Sequence, residues 1–252
     1  MKPCAFSGQT LRDHSLGSVE QMMRVFRESY FRVMKRRMDF ISRRLEGRYP
    51  EDYRFITGIS AGQWMDLTMF LVGFHDLGKA GEFYQENFND DCTPRRSASF
   101  KYHEVGSSLY LFRLNWKNEL LRFWSVLTTM NHLNAIRSVE DLNWAEHEIR
   151  DRQGILHLKR YGWIQELDWL ARRVSWAVEV TPPQDYSLGH LMEMKEWLSK
   201  MAGLRFNKGY ILLLLPVIVG DNLDSSAQRE KDEDSARKRR FIRALEEMYH
   251  AG

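Results

Sequence analysis

Apolar residues recur at three- and four-residue spacing along almost the whole chain, and no alternating run bounded by hairpin turns interrupts them. A chain patterned this way buries its hydrophobic side chains as the inner stripes of packed helices, so the expected fold class is all-α. With 252 residues it can bury a substantial core, and no shift in composition forces a division, so residues 1–252 are read as one domain. Hydrophobic residues at 43% and charged residues at 28% are ordinary globular values, which excludes a disordered or fibrous chain.

A first helix is expected over residues 18–45, with Val19, Met22, Met23, Phe26, Tyr30, Val33 and Met34 as its core stripe and Gly47 and Pro50 as its stop. Residues 61–77 read as a mostly buried helix ended by Gly78, at the position where a left-handed residue caps a C-terminus. After a loop at 87–99, His103 opens a helix running to Phe112. Further helices are expected at 119–130, 138–157, 163–180 and 187–204, with Thr181, Pro182 and Pro183 as the clearest stop. The apolar run 210–220 fits a central helix kinked by Pro216 or a buried strand, and its helical neighbours favour the helix. From Asp224 onward the chain is densely charged, and 235–249 reads as a surface helix attached by Phe241, Leu245 and Met248.

The net charge of +3 is unevenly spread. Arg24, Arg27, Arg32, Lys35, Arg36, Arg37, Arg43, Arg44 and Arg48 crowd one stretch, and Arg237, Lys238, Arg239, Arg240 and Arg243 form a second. Either run fits phosphate contacts along a nucleic-acid strand or a solvated helix face. The N-terminal MKPCAFSGQT lacks the apolar core of a signal peptide, and the run 210–220 is too short to span a bilayer. A cytoplasmic protein with no membrane partner is therefore expected. Cys4 and Cys92 offer neither a disulfide framework nor a CxxC pair, so a metal would have to bind through His and Asp.

His75-Asp76 closes an apolar stretch (Met69, Phe70, Leu71, Val72, Phe74) and is followed by Leu77, Gly78 and Lys79. A carboxylate buried there needs a cation, and an adjacent imidazole favours a metal, although the dipeptide alone also fits a helix-terminal His beside a solvated Asp. His14, His103 and His132 lie beside apolar helical segments, and Asp221 follows the most hydrophobic run of the chain. Each singly fits a satisfied core or surface residue. Together, four imidazoles and two carboxylates converging from distant segments supply the nitrogen and oxygen donors that suit a divalent transition ion. His147, His157, His190 and His250 lie in charged helical or terminal segments and are assigned no catalytic role.

The ordered set H…HD…K…H…H…D resembles the signature of the HD superfamily, and its flanking residues resemble that superfamily's CRISPR-associated nuclease branch. LRDHSLGSV is similar to the first-His motif, GFHDLGKAGEFYQ to the HD segment with its following aromatic and Gln, KYHEVGSS to the third-His segment, and DNLDSSA to the closing aspartate motif with a Ser four positions after the Asp. The likeness covers most of the chain and extends in length to the stand-alone nuclease subunit of type I CRISPR systems. No GxxxxGK[ST] phosphate loop is present, so unwinding driven by ATP would come from a partner. The branch usually carries two consecutive histidines at its fourth motif, where this chain reads Asn131-His132. Asn131 is thus a candidate ligand through its carbonyl oxygen, or a residue that orients His132.

The resemblance implies an HD-domain helical bundle with its metal site between central helices. His14, His75, Asp76 and Asp221 would hold a first ion, and Asp76 would bridge to a second held by His103 and His132. Manganese is the first choice, with cobalt, nickel, iron or zinc as alternatives to oxygen-preferring magnesium. Lys79, one turn from Asp76, would contact a phosphate oxygen or a bound water, or else is a surface lysine. The implied activity is endonucleolytic or exonucleolytic hydrolysis of single-stranded DNA in antiviral CRISPR interference, beside a separate helicase subunit and an RNA-guided surveillance complex. Arg36, Arg37, Arg43, Arg44, Lys238, Arg239 and Arg240 are the candidate nucleic-acid contacts. Two other readings share the sequence features: a nucleotide phosphohydrolase or cyclic-nucleotide phosphodiesterase, and a non-catalytic assembly module.

Overall fold

The computed structural model describes residues 2–96, 99–133, 139–159, 166–202 and 209–228. The surface helix expected at 235–249, with Lys238, Arg239 and Arg240, lies outside the described residues.

A two-stranded hairpin, β1 (Cys4–Phe6) and β2 (Gln9–Thr10), turns through Gly8 at φ +73° and runs directly into α1 (Leu11–Val25). Thr10 caps α1, its hydroxyl accepting from the Asp13 amide. Where a single helix was expected over 18–45, the chain breaks at Phe26 and Arg27 and starts again as α2 (Glu28–Ser42). Neither residue is a Gly or Pro, so the break has no local signal. It lets Phe26, Tyr30 and Phe31 all turn inward, and all three are buried. The restart also resets the helical register: α2 buries Tyr30, Phe31, Met34 and Met38, while Val33, expected in the core, is 51% exposed.

Pro50 opens α3 (Pro50–Gly58), where a missing amide proton costs nothing. A capping box between Ser60 and Gln63 starts α4 (Ala61–Phe74), every residue of which from Leu67 to Phe74 is buried. This central helix stops at Phe74, earlier than expected, and a 3-10 turn (Leu77–Ala80) and the short α5 (Glu82–Gln85) follow. Gly78 is not a left-handed cap: no positive φ is recorded for it, and a Cβ there would lie 1.9 Å from the His103 carbonyl oxygen. Its lack of a side chain serves close packing.

α6 (His103–Arg113) and, after β3 (Asn115–Trp116), α7 (Glu119–Met130) match expectation closely. The helix expected over 138–157 is divided into α8 (Val139–Arg150) and a 3-10 turn (Gln153–Leu156). The one expected over 163–180 reduces, among the described residues, to α9 (Asp168–Arg173), followed by β4 (Val178–Glu179). Backbone pairing with β3 claims this last segment, a contact made across the fold that no local pattern announces. α10 (Leu188–Ala202) precedes α11 (Tyr210–Gln228), which is helical throughout with Pro216 inside it. By length and composition α11 could cross a bilayer, yet it packs on α1, α4 and α7.

The two cysteines correct a further expectation, for Cys4 and Cys92 form a disulfide across 88 residues with Cα atoms 5.4 Å apart. The hairpin docks on the loop after α5, where Gly8 N–H donates to the Cys92 carbonyl at 3.0 Å. Gln85 clamps the same contact, its amide bonding both main-chain groups of Cys4 and the Lys79 carbonyl. Only this docking brings the sulfurs together.

Candidate metal centre

Five elements converge on one buried point. His14 comes from the first turn of α1, His75 and Asp76 from just past α4, His103 from the start of α6, His132 from just past α7, and Asp221 from α11. All six are buried. Their donor atoms form two sets, each within 4.8 Å: His14, His75, Asp76 and Asp221; and Asp76, His103 and His132. Asp76 belongs to both. Its Oδ2 lies 2.9 Å from His14 Nε2 and 3.5 Å from His75 Nε2, while Oδ1 lies 2.7 Å from His103 Nε2 and 3.3 Å from His132 Nε2. Asp221 Oδ1 stands 3.4 Å from His14 Nε2 and 3.7 Å from His75 Nε2.

The imidazoles are aimed from behind. Nδ1 of His75, His103 and His132 donates to the carbonyl three residues earlier, on Val72, Phe100 and Thr129 respectively, at 2.5–2.6 Å. A carbonyl can only accept, so the ring proton belongs on Nδ1 and the Nε2 lone pair faces the centre. His14 does the same with a carboxylate, Asp224 Oδ2, at 2.7 Å. Tyr102, at φ +69°, makes the sharp turn that points His103 inward, a strained position for a residue with a Cβ.

Charge in this space is tightly compensated. Burial pushes His14 down, but Asp221, Asp224 and Asp76 around it outweigh that and push its pKa up to about 10. Burial raises Asp76, yet His75, Lys79 and His103 hold it well below the usual carboxylate range; Asp221 is held low in the same way by His14 and His75. His132 is raised by Asp76 and Asp221 against the cost of burial. Lys79 Nζ lies 2.6 Å from Asp76 Oδ2 and 3.9 Å above the Phe6 ring. His14 Nε2 and His75 Nε2 face carboxylate oxygens but make no hydrogen bond of good geometry although both are buried, and a cation between them and the carboxylates would satisfy both. Inward imidazole nitrogens with shared carboxylates are a donor set that fits divalent transition ions.

No family model matches the chain. Over its full length it is 32% identical to the CRISPR-associated endonuclease Cas3-HD of Saccharolobus solfataricus, of which it covers 98%. The chain belongs to the Cas3-HD family. A second Cas3-HD endonuclease, from Methanocaldococcus jannaschii, is 24% identical over 178 residues, spanning 69% of this chain and 66% of that protein. The solved CRISPR-associated Cas3 HD domain protein of M. jannaschii superposes with a TM-score of 0.50 at 19% identity, covering 86% of this chain and 99% of that one, and so shares the fold.

Around this Cas3-HD centre stand residues that the sequence did not single out. Asp224 backs His14; the Ser noted four positions after Asp221, Ser225, donates its hydroxyl to Asp221 Oδ1 at 3.1 Å, a contact the motif did not specify. Glu104 is fully buried, with neither carboxylate oxygen hydrogen-bonded and Oε2 3.6 Å from His103 Nδ1. One signal was available for Asp224: it lies three residues after Asp221, on the same helical face. Asn131 turns its amide back to the Leu127 carbonyl, and Thr129 rather than Asn131 orients His132. Arg36, Arg37, Arg43 and Arg44 are exposed, on α2 and the 3-10 turn after it, and none of them forms an ion pair among the described residues. They take no part in the buried centre.

Proposed function

We propose that this chain hydrolyses phosphodiester bonds of single-stranded DNA in CRISPR interference, on a strand presented by a separate helicase and an RNA-guided complex. The observation that carries the reading is that one carboxylate, Asp76, offers a different oxygen to each of two donor sets. His14, His75, Asp76 and Asp221 would hold one divalent ion and Asp76, His103 and His132 the other, with manganese favoured by the mixed nitrogen and oxygen donors. Bound there, the ions would supply Lewis-acid activation of water and neutralisation of phosphate charge, so no covalent nucleophile is required.

The chain's own residues do the positioning. Four imidazoles reach the centre already locked by their Nδ1 bonds, so little reorganisation is left for the reaction. The Lys79 ammonium, held against Asp76 and near the rings of Phe6 and Phe100, would turn toward a phosphate oxygen. Arg36, Arg37, Arg43 and Arg44, with Lys238, Arg239 and Arg240, would neutralise phosphates of a longer strand.

The test is incubation with circular single-stranded DNA and Mn2+, with and without chelator, for the intact protein and Asp76→Ala. Cutting should need the ion and should fall by more than about 100-fold in the variant, beyond what loss of an outer partner costs. Unchanged cutting by Asp76→Ala overturns the assigned centre. Hydrolysis of nucleoside triphosphates or cyclic dinucleotides without any DNA cutting would make the chain a nucleotide phosphohydrolase. No bound ion and no activity would make it an assembly module.

A further inference from the structure

Asp221 and Asp224 bracket a single imidazole from the same face of α11. Asp221 Oδ1 stands 3.4 Å from Nε2 of His14, and Asp224 Oδ2 lies 2.7 Å from its Nδ1. Asp224 is itself buried, at 5% exposure. The other three imidazoles hydrogen-bond main-chain carbonyls through Nδ1, and of the four only His14 makes that bond to a carboxylate; Glu104 Oε2 stands off His103 Nδ1 at 3.6 Å. Two neighbours hold that carboxylate in place. Gln9, from β2, donates its amide to the same Oδ2 at 2.9 Å. Gly17, three residues after His14, has no side chain where a Cβ would lie 2.0 Å from Asp224 Oδ1.

We infer that Asp224 is a positioning residue for the first ion set: it keeps the ring proton of His14 on Nδ1 and its Nε2 lone pair toward Asp76 and Asp221. The inference rests on the reading that the centre binds divalent ions. A carboxylate behind a ligating imidazole fixes the tautomer and strengthens the nitrogen as a donor. The consequence is an asymmetric centre. The set containing His14 has four donors, two of them carboxylates, with a third carboxylate behind; the set of Asp76, His103 and His132 has three donors and one shared carboxylate. The first set is the tighter.

The test is Mn2+ titration of the intact protein, Asp224→Asn and Asp224→Ala by calorimetry, with 15N NMR of the His14 ring. Asn keeps an acceptor oxygen and removes the charge; Ala removes both. Asp224→Ala should weaken the tighter class of sites by about 10–100-fold, leave the weaker class unchanged and lose the Nδ1–H tautomer of His14. Asp224→Asn should retain the tautomer with a smaller loss of affinity, and it carries the test alone if Asp224→Ala does not fold. Gly17→Ala, which pushes on the carboxylate without altering it, should weaken the same class of sites. Unchanged Mn2+ affinity and an unchanged His14 tautomer in Asp224→Ala overturn the inference alone. An intact protein that binds no Mn2+ overturns the metal reading as well.

Discussion

Each imidazole of the centre serves one donor set, whereas Asp76 serves both, so single substitutions should separate the ions that the two sets would hold. His103→Ala leaves the four-donor set whole and is expected to retain one Mn2+ per chain after dialysis; His14→Ala should retain the ion of the other set more weakly. Asp76→Asn should retain neither. Elemental analysis of the dialysed proteins measures this directly, and two ions bound by His103→Ala would show that the sets are not separate sites. The direction of each shift follows from burial competing with charge. Buried as they are, Asp76 and Asp221 stay ionised because His14, His75, His103 and Lys79 surround them.

Two elements hold the centre's parts at their separation. The turn after α4 lies so close to the first turn of α6 that Gly78 N–H donates to Ser107 Oγ at 2.7 Å and no Cβ fits against the His103 carbonyl. Gly78→Ala should cost about 3 kcal/mol, the upper end of overpacking, because the obstruction is main chain rather than a side chain that can rotate. A urea midpoint unchanged by that substitution would contradict the packing described. The N-terminal hairpin is tied down differently, by Gln85 and the disulfide. Closing an 88-residue loop is worth about 4–5 kcal/mol in chain-entropy terms, an upper figure. Reductant, or Cys4→Ser with Cys92→Ser, should therefore lower the unfolding midpoint. Equal midpoints with and without reductant would mean that the hydrogen bonds of Gln85 and Gly8 suffice.

The whole molecule presents a buried, charge-compensated centre and a separate exposed row of arginines on α2 and the turn after it. If that row tracks phosphates, reversing Arg36, Arg37, Arg43 and Arg44 to Glu should weaken binding of single-stranded DNA and flatten its dependence on salt, each lost phosphate contact reducing the slope by about 0.7. Mn2+ content should not change, since none of the four reaches the centre. A salt slope equal to that of the intact protein would make the row a solvated helix face.

Much of this was legible in residue order. Helical periodicity set the fold class, and α6, α7 and α10 lie within a few residues of where the pattern put them, because their stripes are long and their ends carry local signals. The six candidate ligands were readable because imidazoles and carboxylates beside apolar runs are costly without a shared purpose. What the chain does across distance was not written locally. The break at Phe26, the pairing of β3 with β4, the meeting of Cys4 with Cys92 and the backing of His14 by Asp224 all join segments that only packing brings together. By itself the sequence determined which residues could ligate and that helices would carry them. The tertiary structure decided which oxygen of Asp76 faces each donor set and which atom holds each imidazole, because orientation depends on contacts between segments far apart in the chain.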